Sequence, residues 1–150
     1  MFQFKSYMDL ALREAQEAAL RGEVPVGAVL VGPDGAVLSQ AGNRTRGNND
    51  PTAHAEVLVI REACSKLGSE RLTSCDLYVT LEPCPMCAMA ISAARIGRLY
   101  YGASDPKSGG IEQGPCIFSH PQAHHVPEIY DGIGAAASEE LLREFFKSLR

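Results

Sequence analysis

The stretch of sequence that decides the fold is Leu77-Tyr78-Val79-Thr80-Leu81-Glu82-Pro83-Cys84-Pro85-Met86-Cys87. Its first five residues are apolar or β-branched, which predicts a buried strand over 77–81. Pro83 cannot donate to a strand ladder and so ends the strand. Pro85 suits the first turn of a helix, and the apolar residues from Met86 to about Ala94 continue it. A buried strand therefore leads almost directly into a buried helix.

A helix and a hairpin are predicted upstream of this stretch. Residues 5–21 have the spacing of an amphipathic helix that ends at Gly22. Two short β-rich segments, 26–31 and 36–41, flank the turn sequence Pro33-Asp34-Gly35, which predicts a hairpin. The apolar stripe of the helix consists of Met8, Ala11, Leu12, Ala15, Ala18 and Ala19.

A second helix should begin at Asp50-Pro51, with the aspartate as its cap, and run to about Lys66. Its middle is apolar nearly all round, so it should be buried on more than one side. Downstream, 99–103 predicts another strand, and 104–137 is mostly loop with a short strand near 126–130. Ser138, followed by two glutamates, should cap a last helix. The apolar face of that helix consists of Leu141, Leu142, Phe145, Phe146 and Leu149.

Strands thus alternate with helices after an initial hairpin, which predicts an α/β sandwich with helices on both faces of a mixed sheet. The chain has 150 residues without repeats or low-complexity segments, and we expect one domain over 1–150.

Composition excludes several classes of protein. The net charge of −4 argues against an indiscriminate nucleic-acid binder, whose affinity comes from many phosphate contacts. Five cysteines, an odd number, argue against a disulfide framework. No apolar run is long enough for a membrane span. Met1 to Lys5 lack the pattern of a secretory signal, so the expected location is the cytoplasm.

Two short motifs carry candidate chemistry, His54-Ala55-Glu56 and Pro83-Cys84-Pro85-Met86-Cys87. Cys84 and Cys87 lie three residues apart at a helix start, so their sulfurs can converge on one ion. Zinc prefers thiolate and imidazole ligands in a tetrahedron, and His54 can supply the third ligand. Three protein ligands leave one position for a water whose pKa zinc lowers to roughly 7, as in a catalytic site.

Glu56 is the candidate proton carrier. Residues two apart on a helix point in different directions, so His54 and Glu56 should not both bind one metal. With His54 on zinc, Glu56 would lie beside the water, take its proton, and deliver protons to a ring nitrogen and a departing amine. The N-termini of both helices would favour thiolates and hydroxide at the site.

Other interpretations of these residues exist. A Cys-x-x-Cys pair after a strand is also typical of thiol oxidoreductases, although that class leaves His54 and Glu56 unexplained. A further alternative is a module that binds zinc and RNA but catalyses no reaction. Cys64 and Cys75 fit small apolar residues of the core. A structural zinc site would need a fourth ligand, for which the candidates are His120, His124, His125 and Cys116.

The two motifs, extended to 50–56 and 80–88, closely resemble the core motifs of bacterial tRNA-specific adenosine deaminases. The likeness continues through 24–31, Gly42-Asn43-Arg44, 94–98 and 101–110. It covers nearly the whole chain. The chain ends without the longer basic tail of some family members, and 111–119 also differs from familiar forms.

The resemblance implies a cytidine deaminase-like fold, a three-layer α/β/α sandwich around a mixed five-stranded sheet. It implies deamination of adenosine to inosine at the first anticodon position of an arginine tRNA, by a homodimer with one zinc per subunit. His54, Cys84 and Cys87 would then bind zinc and Glu56 would shuttle protons. Substrate contacts are implied for Asn43, for the backbone amide of Ala55 and for Asp105.

A tRNA substrate requires local positive charge on an acidic protein. We expect this from Arg44, Arg46, Lys107 and the C-terminal Arg143, Lys147 and Arg150. The nearest rival is a free-base deaminase of the same superfamily, such as a guanine deaminase, which would share the zinc chemistry. The 102–107 segment and Leu81 before Glu82 favour the tRNA enzyme.

Overall fold

The fold is a five-stranded mixed sheet between two pairs of helices, seen in a computed structural model that describes residues 6–149. The strand order is β2-β1-β3-β4-β5; β1 is antiparallel to β2 and β3, and β3, β4 and β5 are parallel. Helices α1 and α4 contact each other, as do α2 and α3. The elements are α1 (Met8–Leu20), β1 (Gly27–Val31), β2 (Val37–Gly42), α2 (Ala55–Leu67), β3 (Asp76–Leu81), α3 (Pro85–Ala93), β4 (Arg98–Ala103), a single 3-10 turn (Ile117–Ser119), β5 (Glu128–Tyr130) and α4 (Ala135–Ser148).

The predicted three-layer sandwich is therefore confirmed, and strand β1 shows how its layers are joined. Ala28 and Leu30 belong to the core cluster shared with α2 and α3, whereas Val29 and Val31 pack with the α1 side. All five residues of β1 are buried, as expected for a strand covered on both faces. A Cβ at Gly27 would collide with the carbonyl oxygen of Ala11, so only glycine lets α1 lie this close to the sheet.

The predicted start of the second helix at Asp50-Pro51 is wrong. Asp50 Oδ1 accepts hydrogen bonds from the Thr52 backbone nitrogen (2.8 Å) and from Thr52 Oγ1 (2.7 Å), which closes a turn instead of capping a helix. The backbone remains extended at His54 (φ −71°, ψ 151°), and α2 begins at Ala55. His54 is consequently the N-cap residue of α2.

The predicted cap of the last helix, Ser138, is also wrong. The helix starts one turn earlier, at Ala135, after Gly134 turns the chain with a left-handed backbone (φ 72°). Ala135, Ala136 and Ala137 have high helix propensity and extend α4 toward Gly134. Ser138 therefore lies inside the helix, where it is buried.

The ends of the first and last helices differ slightly from the prediction. Helix α1 ends at Leu20, and its predicted first residue, Lys5, lies outside the described residues, as does Arg150. On α4, Phe146 is 50% exposed and Leu149 is 64% exposed, so the outer part of its predicted apolar face is not covered. None of the helices described between residues 6 and 149 has the length and apolarity to cross a membrane.

Candidate active site

The site forms where the N-termini of α2 and α3 meet beyond the carboxyl end of β3. His54 is the N-cap residue of α2, Cys84 is the N-cap residue of α3, and Cys87 lies in the first turn of α3. Pro83 and Pro85 end the strand and start the helix within four residues, which places both sulfurs next to His54. His54 Nδ1 is 3.6 Å from Cys84 Sγ and 3.5 Å from Cys87 Sγ.

These three side chains fit a zinc ion. With the usual Zn–N and Zn–S bond lengths, a tetrahedral ion separates an imidazole nitrogen from a thiolate sulfur by about 3.6 Å, close to both observed separations. Within residues 6–149, His54, Cys84 and Cys87 form the one cluster suited to a metal ion, with ligand atoms within 4.8 Å of one another. None of the candidates for a fourth ligand joins this cluster, which matches the open coordination of a catalytic site.

The two thiols have opposite tendencies to ionise. The neighbouring Cys87 thiol lowers the pKa of Cys84 to about 4, and His54 acts in the same direction against the effect of burial. The hydrogen bond to Cys84 and burial together raise the pKa of Cys87. The hydrogen bond with Cys84 raises the pKa of His54. This small network therefore holds a negative charge at Cys84, as a cation site requires.

Glu56 lies in the first turn of α2, next to the cluster. The residue is 4% exposed, and its Oε1 has no hydrogen-bond partner. Burial raises the pKa of the Glu56 carboxyl. A buried carboxyl with an unpaired oxygen costs free energy, which points to a functional role, and a raised pKa suits a group that both accepts and returns a proton.

A pocket of about 220 Å³ opens onto these groups. Asn43, His54, Glu56, Cys84 and Asp105 all line it. The sequence prediction therefore selected residues that the fold brings together. A larger cavity of about 470 Å³ lies between α2 and α3, but none of these five residues lines it.

Asn43 and Ala55 contact each other in this pocket. The backbone nitrogen of Ala55 donates a hydrogen bond to Asn43 Oδ1 at 2.8 Å. The Ala55 amide that the resemblance assigned to the substrate is thus already used here to orient Asn43. With the oxygen of Asn43 fixed on α2, its amide nitrogen remains as the donor for a ligand.

Sequence reasoning missed two buried carboxylates that hold the loops around the pocket, Glu23 and Glu82. Glu23 accepts hydrogen bonds from the backbone nitrogens of Arg46 (3.1 Å) and Gly47 (2.9 Å) and from the Thr45 hydroxyl (3.4 Å). Glu82 does the same for a loop after β4. The sequence did contain a signal for each. Glu23 directly follows Gly22, and Glu82 directly follows the predicted buried strand.

Glu23 should make stability depend on pH. Burial alone would raise the pKa of Glu23, but hydrogen bonds from Gly47, Arg46 and Thr45 outweigh it, and the net pKa is lower than 4.5. A group with a lowered folded-state pKa stabilises above its unfolded pKa and loses that effect as the pH falls through the folded value. Glu23→Gln should therefore cost about 1–3 kcal/mol at pH 7, because buried donors lose their acceptor.

The free energy of unfolding of the wild type and of Glu23→Gln, measured with urea from neutral to acidic pH, checks this prediction. The difference between them should shrink progressively below pH 4.5, the unperturbed value for Glu23. If the difference in unfolding free energy stays constant down to acidic pH, the Glu23 charge does not hold this loop.

Comparison with known proteins agrees with the geometry. The model of the cytidine and deoxycytidylate deaminase zinc-binding region matches residues 1–103. The tRNA-specific adenosine deaminase of Agrobacterium fabrum is 60% identical over 144 residues, which is 96% of this chain and 94% of that protein. The chain belongs to this deaminase family. It is therefore a zinc-dependent deaminase, with the His54, Cys84 and Cys87 cluster as the site suited to the metal.

Solved structures of other deaminases are similar to this chain. One comes from work on A-to-I editing by tRNA:A34 deaminases at the wobble position of transfer RNA; it has a TM-score of 0.89 and 60% identity, and covers 91% of this chain and 98% of that one. A guanine deaminase from Bacillus subtilis is 42% identical with a TM-score of 0.65, and covers 69% of this chain and 66% of that one.

Proposed function

We propose that this deaminase converts adenosine to inosine at the wobble position, the first position of the anticodon, in tRNA. The observation that carries the proposal is the 60% identity, over nearly the whole chain, to a tRNA-specific adenosine deaminase. The reaction consumes water and releases ammonia. We further propose that the whole chain, 1–150, is a single deaminase domain.

In the proposed mechanism, His54, Cys84 and Cys87 would hold a zinc ion, which would act as a Lewis acid and lower the pKa of a water to roughly 7. Glu56 takes a proton from the attacking water at its unpaired Oε1. The carboxyl then gives this proton to the ring nitrogen. It takes a second proton from the new C6 hydroxyl, which becomes the carbonyl of inosine, and passes it to the amine, which leaves as ammonia. Asn43, fixed by Ala55, hydrogen-bonds the base through its amide nitrogen. Asp105, at the pocket mouth, contacts the backbone or sugar of the anticodon loop.

An adenine stacked in RNA cannot reach a pocket of this kind. It has to be turned out of its stack, which costs least for a loop nucleotide. The anticodon loop meets that condition. Incubation with an anticodon stem-loop should therefore convert the first anticodon adenosine to inosine, read as guanosine after reverse transcription. A stem-loop whose only loop adenosine lies one position away should remain unchanged, and equal conversion of both would contradict the assignment.

The positive charge for RNA binding is proposed to lie beside the pocket. Arg44 and Arg46 are exposed and flank Asn43 and Thr45, two pocket residues, and Lys107 lines an adjoining groove. On α4, Arg143 is exposed but pairs with Glu140 at 2.6 Å. The arginines of the 44–46 segment are therefore the stronger candidates for phosphate contacts.

Charge reversal of Arg44 and Arg46 tests this surface. The double variant Arg44→Glu/Arg46→Glu should bind the stem-loop more weakly, and the slope of log K against log salt should fall in magnitude by about 1.4–1.8, since each lost phosphate contact contributes about 0.7–0.9. Arg13→Glu/Lys66→Glu, at exposed positions of α1 and α2, is the charge-matched control. An unchanged slope in the double variant would remove these arginines from the interface.

Three finer points also belong to the proposal, namely an arginine tRNA as the substrate, a cytoplasmic location and a homodimer. The arginine tRNA rests on the family resemblance, and the cytoplasmic location rests on the proposed tRNA substrate. The dimer is also supported by the concave surface between α2 and α3, where Val57, Ile60 and Ala90 line the larger cavity. Sedimentation equilibrium should give twice the mass of one chain, and a monomer at micromolar concentration would contradict the dimer.

A guanine deaminase is the second candidate function, favoured by the similarity to the Bacillus subtilis enzyme. The zinc site and Glu56 would act in the same way on a free base. That similarity covers two thirds of each chain, whereas the tRNA-specific relative matches almost end to end. A thiol oxidoreductase is not supported, because Cys84 and Cys87 share one cluster with His54.

A further inference from the structure

Glu82 is a buried carboxylate held entirely by neutral donors. It is 2% exposed, and within residues 6–149 no lysine, arginine or histidine forms an ion pair with it. Five hydrogen bonds replace its hydration. Oε1 accepts from Ser104 Oγ (3.1 Å) and the Asp105 nitrogen (3.0 Å), and Oε2 accepts from the backbone nitrogens of Ile111 (3.0 Å), Glu112 (2.9 Å) and Gln113 (3.1 Å).

These donors belong to both ends of one segment, residues 104–113, which we call the pocket loop. Asp105, at the first end, and Ser108, in the middle, line the pocket that contains Glu56. Asp105 Oδ1 accepts hydrogen bonds from the nitrogens of Lys107 and Ser108, each at 3.1 Å, which shapes the tip of the loop. One carboxylate thus closes a loop whose middle forms the pocket wall.

The pocket loop also packs directly on the segment that carries Cys84. A Cβ at Gly109 would lie 2.5 Å from the Glu82 carboxyl carbon, and one at Gly110 would lie 2.6 Å from the Pro85 nitrogen. The Gly110 nitrogen donates to the Pro83 carbonyl at 2.8 Å. Gly109 is therefore required for the loop to approach the Glu82 carboxylate this closely, and Gly110 for its approach to Pro85.

We propose that Glu82 is a positioning residue that holds the pocket loop as a preformed wall for the tRNA anticodon loop. It acts through Asp105 and Ser108 and does not touch the reacting atoms. This inference rests on the proposed function. It goes beyond it by assigning a role in substrate affinity to a residue outside the zinc and proton-transfer groups.

The geometry predicts which kinetic constant depends on Glu82. The zinc ligands and Glu56 lie on α2 and at the start of α3, whereas every donor to Glu82 lies in the pocket loop. A loosened wall would weaken contacts made equally to the bound substrate and to the transition state. Loss of such uniform binding raises KM and leaves kcat nearly unchanged.

Glu82→Gln is the direct test, because an amide cannot accept hydrogen bonds at both of its terminal atoms. In zinc-loaded protein, KM for the anticodon stem-loop should rise about tenfold or more, since the freed loop must be ordered on binding. The kcat should stay within about threefold and zinc should remain stoichiometric. Glu62→Gln, on the exposed side of α2, is the matched control.

A second measurement does not depend on activity. Lys107 is the one trypsin site in the pocket loop, and wild-type protein should resist cleavage there. Glu82→Gln should be cut after Lys107 about tenfold faster or more, because loss of these hydrogen bonds frees the backbone of at least one loop residue. If Glu82→Gln does not fold, Ser104→Ala removes a single donor from the exposed edge and should raise KM severalfold.

The outcomes separate this inference from the proposed function. If wild-type protein leaves the stem-loop unchanged, the proposed function fails, and trypsin cleavage alone decides whether Glu82 holds the loop. If wild-type protein edits the stem-loop but Glu82→Gln has the wild-type KM, or loses kcat with KM unchanged, the positioning role is overturned.

Discussion

Glu56→Ala should lower kcat on the anticodon stem-loop by about 10²–10⁴-fold, the range that a positioned proton carrier contributes. Oε1 of Glu56 is buried without a hydrogen-bond partner. The other two carboxyls that line the pocket, Glu82 and Asp105, accept hydrogen bonds from residues 104–113, so we expect neither to replace Glu56. Zinc should remain bound at one ion per chain, because Glu56 is not a member of the ligand cluster. Single-turnover kinetics and metal analysis of the same sample measure both.

The variant should also remain folded. Burying a carboxyl whose oxygen makes no hydrogen bond costs about 1–3 kcal/mol, and its removal offsets the cavity that alanine leaves. Glu62→Ala, on the same helix but exposed and paired with Lys66, should keep wild-type turnover. If Glu56→Ala kept its activity, Glu56 could not be the proton carrier and the mechanism would need another base.

Cys87→Ser should lose both zinc and activity. Cys87 is fully buried in the first turn of α3, and its sulfur lies 3.5 Å from His54 Nδ1. Serine offers a poor ligand for zinc, which prefers thiolate, so we expect zinc affinity to drop by about 10-fold to 100-fold or more. Activity should fall with the zinc content and return in part when excess zinc is added.

Cys116→Ser is the control for this prediction. Cys116 is half-buried directly before the 3-10 turn, outside the ligand cluster, and its replacement should leave zinc and turnover unchanged. Zinc loss from Cys116→Ser, or full zinc content in Cys87→Ser, would contradict the ligand assignment. Disulfide reduction by the wild type, with chelation having no effect, would instead support a thiol oxidoreductase.

The sequence was sufficient for the strand and helix around Pro83 and Pro85, because these two prolines act locally. It was sufficient for the convergence of His54 with Cys84 as well, since each begins a helix next to the same sheet. It failed at Asp50 because an aspartate side chain can close a turn or cap a helix, and the choice depends on Thr52. It failed at Ser138 because Gly134 permitted an earlier start.

The roles of Glu23 and Glu82 could not be predicted from the sequence. Their donors lie 22 to 24 and 22 to 31 residues away along the chain, and only the folded sheet brings them together. The same limit applies to the Ala55 amide, whose hydrogen bond to Asn43 crosses from α2 to the loop after β2. Local patterns identify chemistry-bearing residues, whereas contacts between loops require the structure.

A substrate competition tests most directly whether the substrate of this zinc site is an adenosine within tRNA. Zinc-loaded protein is given an arginine anticodon stem-loop with adenosine at the first anticodon position, together with free guanine, cytosine and adenosine. We expect inosine in the RNA and no product from the free compounds. Ammonia from a free base, with the RNA intact, would preserve the zinc mechanism and contradict the tRNA assignment.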